Sequence, residues 1–298
     1  MYTLNFVNMW QQLLQQLLGS DTKALARAIS LVENETDGYE EFMKSLPSNN
    51  SPIIIGITGP PGAGKSTIVD ALIEEFNLDG GRTCVLCIDP TSPFTYGAIL
   101  GDRIRMSGWH NNAQVYIRSL ATRGSLGGLN PKVIEITEIA KAAGFSQVII
   151  ETVGVGQSEV EIAGLADITI VVVVPESGDE IQTMKSGLME VADIFVVNKS
   201  DRPGADKFVQ SLHSMSSSDK EIPIIKTIAS QKVGITELKQ KILSFEREVN
   251  SDRKLKVFAN RAYHLLQEKR MNGISREKIY IDLKTSGNAN IYKFIEDY

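Results

Sequence analysis

Gly59-Pro60-Pro61-Gly62-Ala63-Gly64-Lys65-Ser66-Thr67 fits the G-x-x-x-x-G-K-[ST] spacing of a loop that cradles phosphates. Gly62 and Gly64 admit backbone angles closed to other residues and let the main chain approach a phosphate closely. The N–H groups of Gly62, Ala63, Gly64, Lys65, Ser66 and Thr67 are expected to point at an anion at a helix N-terminus, where the macrodipole adds its attraction. Pro60 and Pro61 carry no N–H, so they stiffen the loop and the donors begin at Gly62. Lys65 is expected to reach the β- and γ-phosphates, and the Ser66 hydroxyl to ligate Mg²⁺.

A second constellation, Asn198-Lys199-Ser200-Asp201, follows an apolar strand. A carboxylate at Asp201 can accept from both N1–H and the N2 amino group of guanine. Adenine lacks both donors and would leave that carboxylate unpaired, a mismatch that discriminates strongly. The aliphatic stem of Lys199 can cover the base face, and Ala229 and Ser230 after the next strand are expected to close over the guanine from the other side. Together these favour GTP over ATP.

Three carboxylates could serve the metal. Glu151 opens Glu151-Thr152-Val153-Gly154 at a strand end, where many GTPases have Asp-x-x-Gly. It could hold Mg²⁺ through water or position the attacking water, while the Gly154 N–H meets the γ-phosphate. Asp89 closes another strand, and Asp102 follows in Leu100-Gly101-Asp102-Arg103; either could approach the metal, although Asp102 reads equally as a solvated loop carboxylate. Phosphoryl transfer needs mostly positioning and charge stabilisation, so Lys65, Asp89, Glu151 and Gly154 are the catalytic candidates. No glutamine directly follows Gly154, and Gln157 lies beyond a second glycine, so weak intrinsic turnover needing partner stimulation is expected.

The elements that must position these residues alternate between strand and helix. Strands are expected at Ile53–Thr58, Thr83–Asp89, Val115–Ser119, Gln147–Glu151, Ile168–Val174, Ile194–Asn198 and Ile222–Thr227. Helices are expected at Ser66–Phe76, Lys132–Ala143, Glu180–Val191, Ala205–Met215 and Thr236–Asn250. Several strands are continuously apolar, as when helices cover both faces. The fold class is therefore α/β, a doubly wound and mostly parallel sheet with ligands at the carboxyl ends of its strands. Residues 1–50 form an N-terminal helical segment, broken at Gly19-Ser20-Asp21 with Asp21 as a plausible N-cap. Residues 51–250 form the nucleotide-binding domain, and residues 251–298 a C-terminal helical arm beginning with a long helix from Asp252 to Asn272.

Composition narrows the field. The 298 residues are 42% hydrophobic and carry a net charge of −5 with no basic block, which argues against a nucleic-acid partner. The longest apolar run, Ile168 to Val174, suits a buried strand rather than a membrane span. No Lys or Arg precedes Lys23 and no signal-type apolar block opens the chain, so a cytoplasmic location is expected. Cys84 and Cys87 have C-x-x-C spacing but lie on one strand, where positions three apart face opposite ways, so two buried structural thiols are expected rather than a redox or metal pair.

These motifs, with Leu25–Glu33, Asp89-Pro90-Thr91-Ser92, Ile99–Met106 and the run Glu151–Val160, resemble the MeaB/ArgK family of GTPases associated with cobalamin-dependent methylmalonyl-CoA mutase and related acyl-CoA mutases. The resemblance implies a P-loop G domain of the SIMIBI type and a G protein that acts as a chaperone. Such proteins bind the mutase, gate delivery of adenosylcobalamin and help release a damaged cofactor, with the cobalamin on the partner rather than on the GTPase. It also implies a homodimer to which the C-terminal arm contributes, no membrane association, and a segment, here Ser177–Lys185, that couples nucleotide state to the mutase. Asp179, Gln182 and Lys185 are signalling candidates on that resemblance alone. Local departures are Pro60-Pro61 and Pro175-Glu176. Rival functions are an ATP-dependent kinase or transport ATPase, against which Asp201 argues, and a metal-insertion GTPase. The latter commonly carries His- or Cys-rich clusters, whereas His110, His213 and His264 are far apart in this sequence.

Overall fold

The computed structural model describes residues 2–48, 52–91, 106–109, 111–122, 129–152, 154, 158–177, 188–215, 222–245, 252–271, 274–286 and 291–295. The chain divides into two compact units, Met1–Ser251 and Asp252–Tyr298.

The first unit opens with three helices, α1 (Tyr2–Leu18), α2 (Thr22–Glu33) and α3 (Tyr39–Ser45). Asp21 caps α2 as expected, its Oδ1 accepting from the N–H groups of Lys23 and Ala24 at 2.7 and 3.2 Å. No sequence pattern marks α3. It is only 7 residues long, too short for a periodic signal, and is held by Phe42, which is buried and lies 4.9 Å from the Trp10 ring. The alternation then runs β1 (Ile53–Thr58), α4 (Lys65–Leu78), β2 (Thr83–Asp89), β3 (Val115–Ala121), α5 (Val133–Ala142), β4 (Gln147–Glu151), α6 (Ser158–Leu165) and β5 (Ile168–Val173). It closes with α7 (Leu188–Val191), β6 (Ile194–Val197), α8 (Ala205–Met215), β7 (Ile224–Lys226) and α9 (Ile235–Leu243).

Among the described residues seven strands pair, all in parallel, in the order β3-β2-β4-β1-β5-β6-β7. β1 lies between β4 and β5, so its carboxyl end opens where the connections part to the two sides, the usual ligand crevice of such sheets. Continuous apolarity is explained by burial on both faces: every residue of β1, β2, β4, β5 and β6 is buried. Alternation sorts the side chains. Ile54, Cys84, Leu86, Val148 and Ile150 join α2 and α5 in one cluster, while Ile55, Ile57, Val85, Cys87 and Ile149 join α4 and α9 in another. Each fully buried Leu, Ile or Val in these layers contributes about 1.5–3 kcal/mol. The two thiols therefore sit on opposite faces, neither in a disulfide, and burial pushes that of Cys84 well up.

Gly56 shows how tightly one face closes. A Cβ there would lie 2.8 Å from Ile162 Cγ1 and 3.1 Å from Ala166 Cβ, so any larger residue would push α6 from the sheet. The last strand is shorter than the expected Ile222–Thr227: its ladder with β6 begins at Phe195 opposite Ile224, and Pro223 contributes only its carbonyl, to Phe195 N–H. Residues 178–187 and 246–250, on which expected helices partly fall, lie outside the described residues.

The second unit comprises α10 (Asp252–Arg270), α11 (Arg276–Ser286) and α12 (Ile291–Ile295). The Ser275 hydroxyl accepts from Lys278 N–H at 3.0 Å and starts α11. Leu255, Phe258, Leu266, Tyr280 and Ile281 are exposed on α10 and α11. Among the described residues no helix is long and apolar enough to cross a membrane.

Candidate nucleotide-binding site

The carboxyl ends of β1, β2, β4 and β6 surround a cavity of about 370 Å³. One wall is the phosphate loop with the first residues of α4. Asp89, Glu151 and Thr152 form the next, and Lys199 the last. Gly64 takes φ +92°, and a Cβ on it would collide with the side-chain amide of Asn198, so both the turn and the space demand glycine. Gly59 and Gly62 also have positive φ. Lys65 and Ser66, the first two residues of α4, are buried at 6% and 7% exposure, which places ammonium and hydroxyl inside the crevice rather than in bulk water.

The Lys65 ammonium donates to the carbonyls of Gly59 and Pro60 at 2.8 and 3.1 Å. Ser66 Oγ donates to Glu151 Oε1 at 2.7 Å. Gly154 has φ +83°, and a Cβ there would overlap the Gly59 carbonyl and stand 2.9 Å from Lys65 Nζ, so its backbone lies against both. Asp89, the last residue of β2, is buried, and its carbonyl accepts from Thr122 N–H at 3.1 Å. One hydroxyl and two carboxylates on a shared cavity form a hard-oxygen donor set, which suits Mg²⁺ rather than a soft metal.

Beside this, the turn after β6 is tied to the phosphate loop. Asn198 is 3% exposed; its Nδ2 donates to Ala63 O at 2.9 Å, and its Oδ1 accepts from Thr227 Oγ1 and Ala229 N–H, each at 3.1 Å. Asn198 thus joins three loops. Lys199 sits at φ +55° and its ammonium donates to Gly62 O at 2.8 Å, so its stem bridges the turn to the phosphate loop. Ser200 N–H donates to Thr227 O and Arg202 N–H to Lys199 O, each at 3.0 Å, which shapes the turn carrying the exposed Asp201. Ala229 is buried and Ser230 exposed in the short 3-10 helix Ala229–Gln231 beyond β7.

The structure thus gathers Gly59, Gly62, Ala63, Gly64, Lys65, Ser66, Thr67, Asp89, Glu151 and Gly154 at the mouth of β1, β2 and β4, with Asn198, Lys199, Asp201, Ala229 and Ser230 at the ends of β6 and β7. Asp102, Gln157, Asp179, Gln182 and Lys185 lie outside the described residues. Two features went unassigned in the sequence. Thr152 lines the cavity, although it stood inside the Glu151–Gly154 run. Arg202, next to Asp201, pairs with Glu176 at 2.6 Å, and no local pattern signals a contact across 26 residues.

Residues 25–279 match the family model described as methylmalonyl-CoA mutase-associated GTPase MeaB. The chain belongs to the MeaB/ArgK family. Escherichia coli GTPase ArgK is 34% identical over 256 residues, covering 81% of this chain and 77% of that protein. A Pyrococcus abyssi protein that bears a GTPase name is 46% identical over 243 residues, covering 78% and 75%. The methylmalonic aciduria type A homolog of Caenorhabditis elegans is 39% identical over 207 residues, covering 64% of this chain and 52% of that one. In fold, this MeaB/ArgK chain is similar to a solved LAO/AO transport system kinase, with TM-score 0.65 and 23% identity over 97% of both chains. It is also similar to nickel-bound HypB from Helicobacter pylori, with TM-score 0.50 and 17% identity over 76% of this chain and 99% of that one. The parallel sheet with its phosphate loop is the P-loop GTPase architecture expected from the sequence.

Proposed function

We propose that this protein binds GTP with Mg²⁺, hydrolyses it slowly alone, and uses the cycle to gate cofactor loading and protection of a cobalamin-dependent acyl-CoA mutase of the methylmalonyl-CoA mutase type. The observation that carries the reading is the match of residues 25–279 to a family described as mutase-associated GTPases. The name of the nematode relative points the same way.

In this reading the N–H groups from Gly62 to Thr67 hold the phosphates, and Lys65 leaves the Gly59 and Pro60 carbonyls for the β- and γ-phosphate oxygens. The Ser66 hydroxyl and the Asp89 and Glu151 carboxylates hold the metal, with Asp102 as a further donor. Bound Mg²⁺ supplies neutralisation of the charge that develops on the phosphate oxygens. Glu151 orients water, and the Gly154 N–H meets the γ-phosphate. Asp201 reads the guanine, Lys199 and Ala229 flank it, Ser230 closes its edge, and Asn198 keeps base loop and phosphate loop in register. Asp179, Gln182 and Lys185 carry the nucleotide state to the mutase, α10–α12 form the arm of a homodimer, and cobalamin stays on the partner.

The test is co-purification with candidate acyl-CoA mutases under GTP and under GDP, followed by single-turnover hydrolysis on the complex. The proposal expects a nucleotide-dependent complex and faster hydrolysis within it. Hydrolysis unchanged by every cobalamin-dependent mutase of the host would overturn the chaperone role.

A further inference from the structure

We propose that Thr152 is a positioning residue for GTP hydrolysis, acting through a buried hydroxyl bond to Thr58. The inference rests on the GTPase reading above and adds to it the joint that keeps the catalytic groups in place.

β1 and β4 run side by side until Ile57 stands opposite Glu151. One further ladder bond, from Thr152 N–H to Ile57 O at 3.0 Å, extends the pair. Beyond it the chains part: β1 turns into the phosphate loop at Gly59, and β4 leads to Gly154. At this fork Thr152 Oγ1 donates to Thr58 Oγ1 at 2.8 Å, with Thr58 0% and Thr152 2% exposed. Packing alone does not call for two hydroxyls there, since valine fills the same volume and a strand end accepts it. A buried hydroxyl without a partner is costly, so each threonine makes the other tolerable.

What the fork holds is the geometry of hydrolysis. Glu151, immediately before Thr152, contacts Ser66, and Gly154, two residues after, lies against Gly59 and Lys65. Phosphate binding depends on the phosphate-loop N–H groups and Lys65, whereas the hydrogen bonds of Thr152 run to Ile57 O and Thr58 Oγ1. Loosening the fork therefore disturbs the alignment of Glu151 and Gly154 with the γ-phosphate more than it disturbs nucleotide binding. Misplacement of this kind is expressed mainly in the chemical step.

The experiment measures the GDP dissociation constant and single-turnover GTP hydrolysis for wild type, Thr152→Val, Thr152→Ser, Thr58→Val and the Thr58→Val/Thr152→Val pair. Thr152→Val should lower the hydrolysis rate about tenfold with GDP affinity within about twofold. Thr152→Ser, which keeps the hydroxyl, should restore the rate. Thr58→Val breaks the same bond from the other side and should match Thr152→Val, so it decides the matter if one variant does not fold. The pair should be no slower than either single variant. A wild-type rate in the valine variants, no rescue by serine, or parallel loss of affinity and rate overturns the inference. Failure of the wild type to bind or hydrolyse GTP sinks the functional reading instead.

Discussion

Replacing Asn198 by alanine removes three hydrogen bonds that join the phosphate loop, the turn after β6 and the loop after β7: those to Ala63 O, Thr227 Oγ1 and Ala229 N–H. At about 0.5–1.5 kcal/mol each the loss is about 1.5–4.5 kcal/mol. Ala63, Thr227 and Ala229 are all buried, so bulk water does not replace the amide, but the space it vacates is lined by these three polar partners and can hold one water. The middle of that range, about 2–4 kcal/mol, is therefore expected. For a unit of this size each kcal/mol lowers the unfolding midpoint by about 2–4 °C, so a fall of roughly 4–16 °C follows. If half the loss appears as loop ordering on binding, GDP affinity drops about 5–30-fold. Differential scanning fluorimetry and a fluorescent-GDP titration read both quantities. Thr227→Val deletes only one of the three bonds and should cost about 1 kcal/mol or less. An Asn198→Ala protein that melts within a degree or so of wild type and binds GDP equally well refutes the claim that this amide ties the loops.

Gly154→Ala places a methyl group at φ +83° against the Gly59 carbonyl and Lys65, and backbone cannot give way as a side chain can. Single-turnover hydrolysis should fall about a hundredfold, and GDP affinity should weaken too because the methyl presses on the phosphate loop and Lys65; an unaltered rate would show that this close approach is irrelevant to catalysis. The hydrogen bond from Arg202, then Glu176's own backbone, hold the Glu176 carboxyl below its ordinary 4.5, so any stabilisation from this exposed pair is present at neutral pH and lost as pH falls below that value. Arg202→Gln should raise the Glu176 midpoint toward 4.5 in an NMR titration and leave neutral-pH stability almost untouched, as befits an exposed pair; no shift of the midpoint would deny the contact.

Much of this was legible because burial on both faces forces continuous apolar runs: Ile53–Thr58, Thr83–Asp89, Gln147–Glu151 and the core of Ile168–Val174 stand out unaided. Edge strands were less clear. β3 runs on to Ala121 past the expected Ser119, and β7 shrinks to Ile224–Lys226, since an edge strand lacks the double-sided burial that marks its ends. α6 gives no helix signal because Ser158-Glu159-Val160-Glu161-Ile162-Ala163-Gly164-Leu165 is short and shows no clear apolar stripe. Strand order was not readable at all, since local periodicity carries no information on which neighbours pair. At the site, residue types and spacing gave the phosphate loop, Glu151 and the base motif. They could not show that Asn198 uses its amide on Ala63 and Ala229, or that Lys199 reaches Gly62, because those partners are more than thirty residues away in sequence and meet only through the sheet.

Guanine selectivity is the claim from which the rest descends, and competition between nucleotides tests it most directly. Labelled GDP bound to the wild-type protein should be displaced by GTP and GDP but by ADP only at concentrations at least about a thousandfold higher, given the two donors that adenine lacks opposite Asp201. Asp201→Asn should lose GDP and gain xanthosine diphosphate, whose C2 carbonyl offers an acceptor where guanine has its 2-amino donor. ADP displacing the label as readily as GDP, with Asp201→Asn indistinguishable from wild type, would contradict the account.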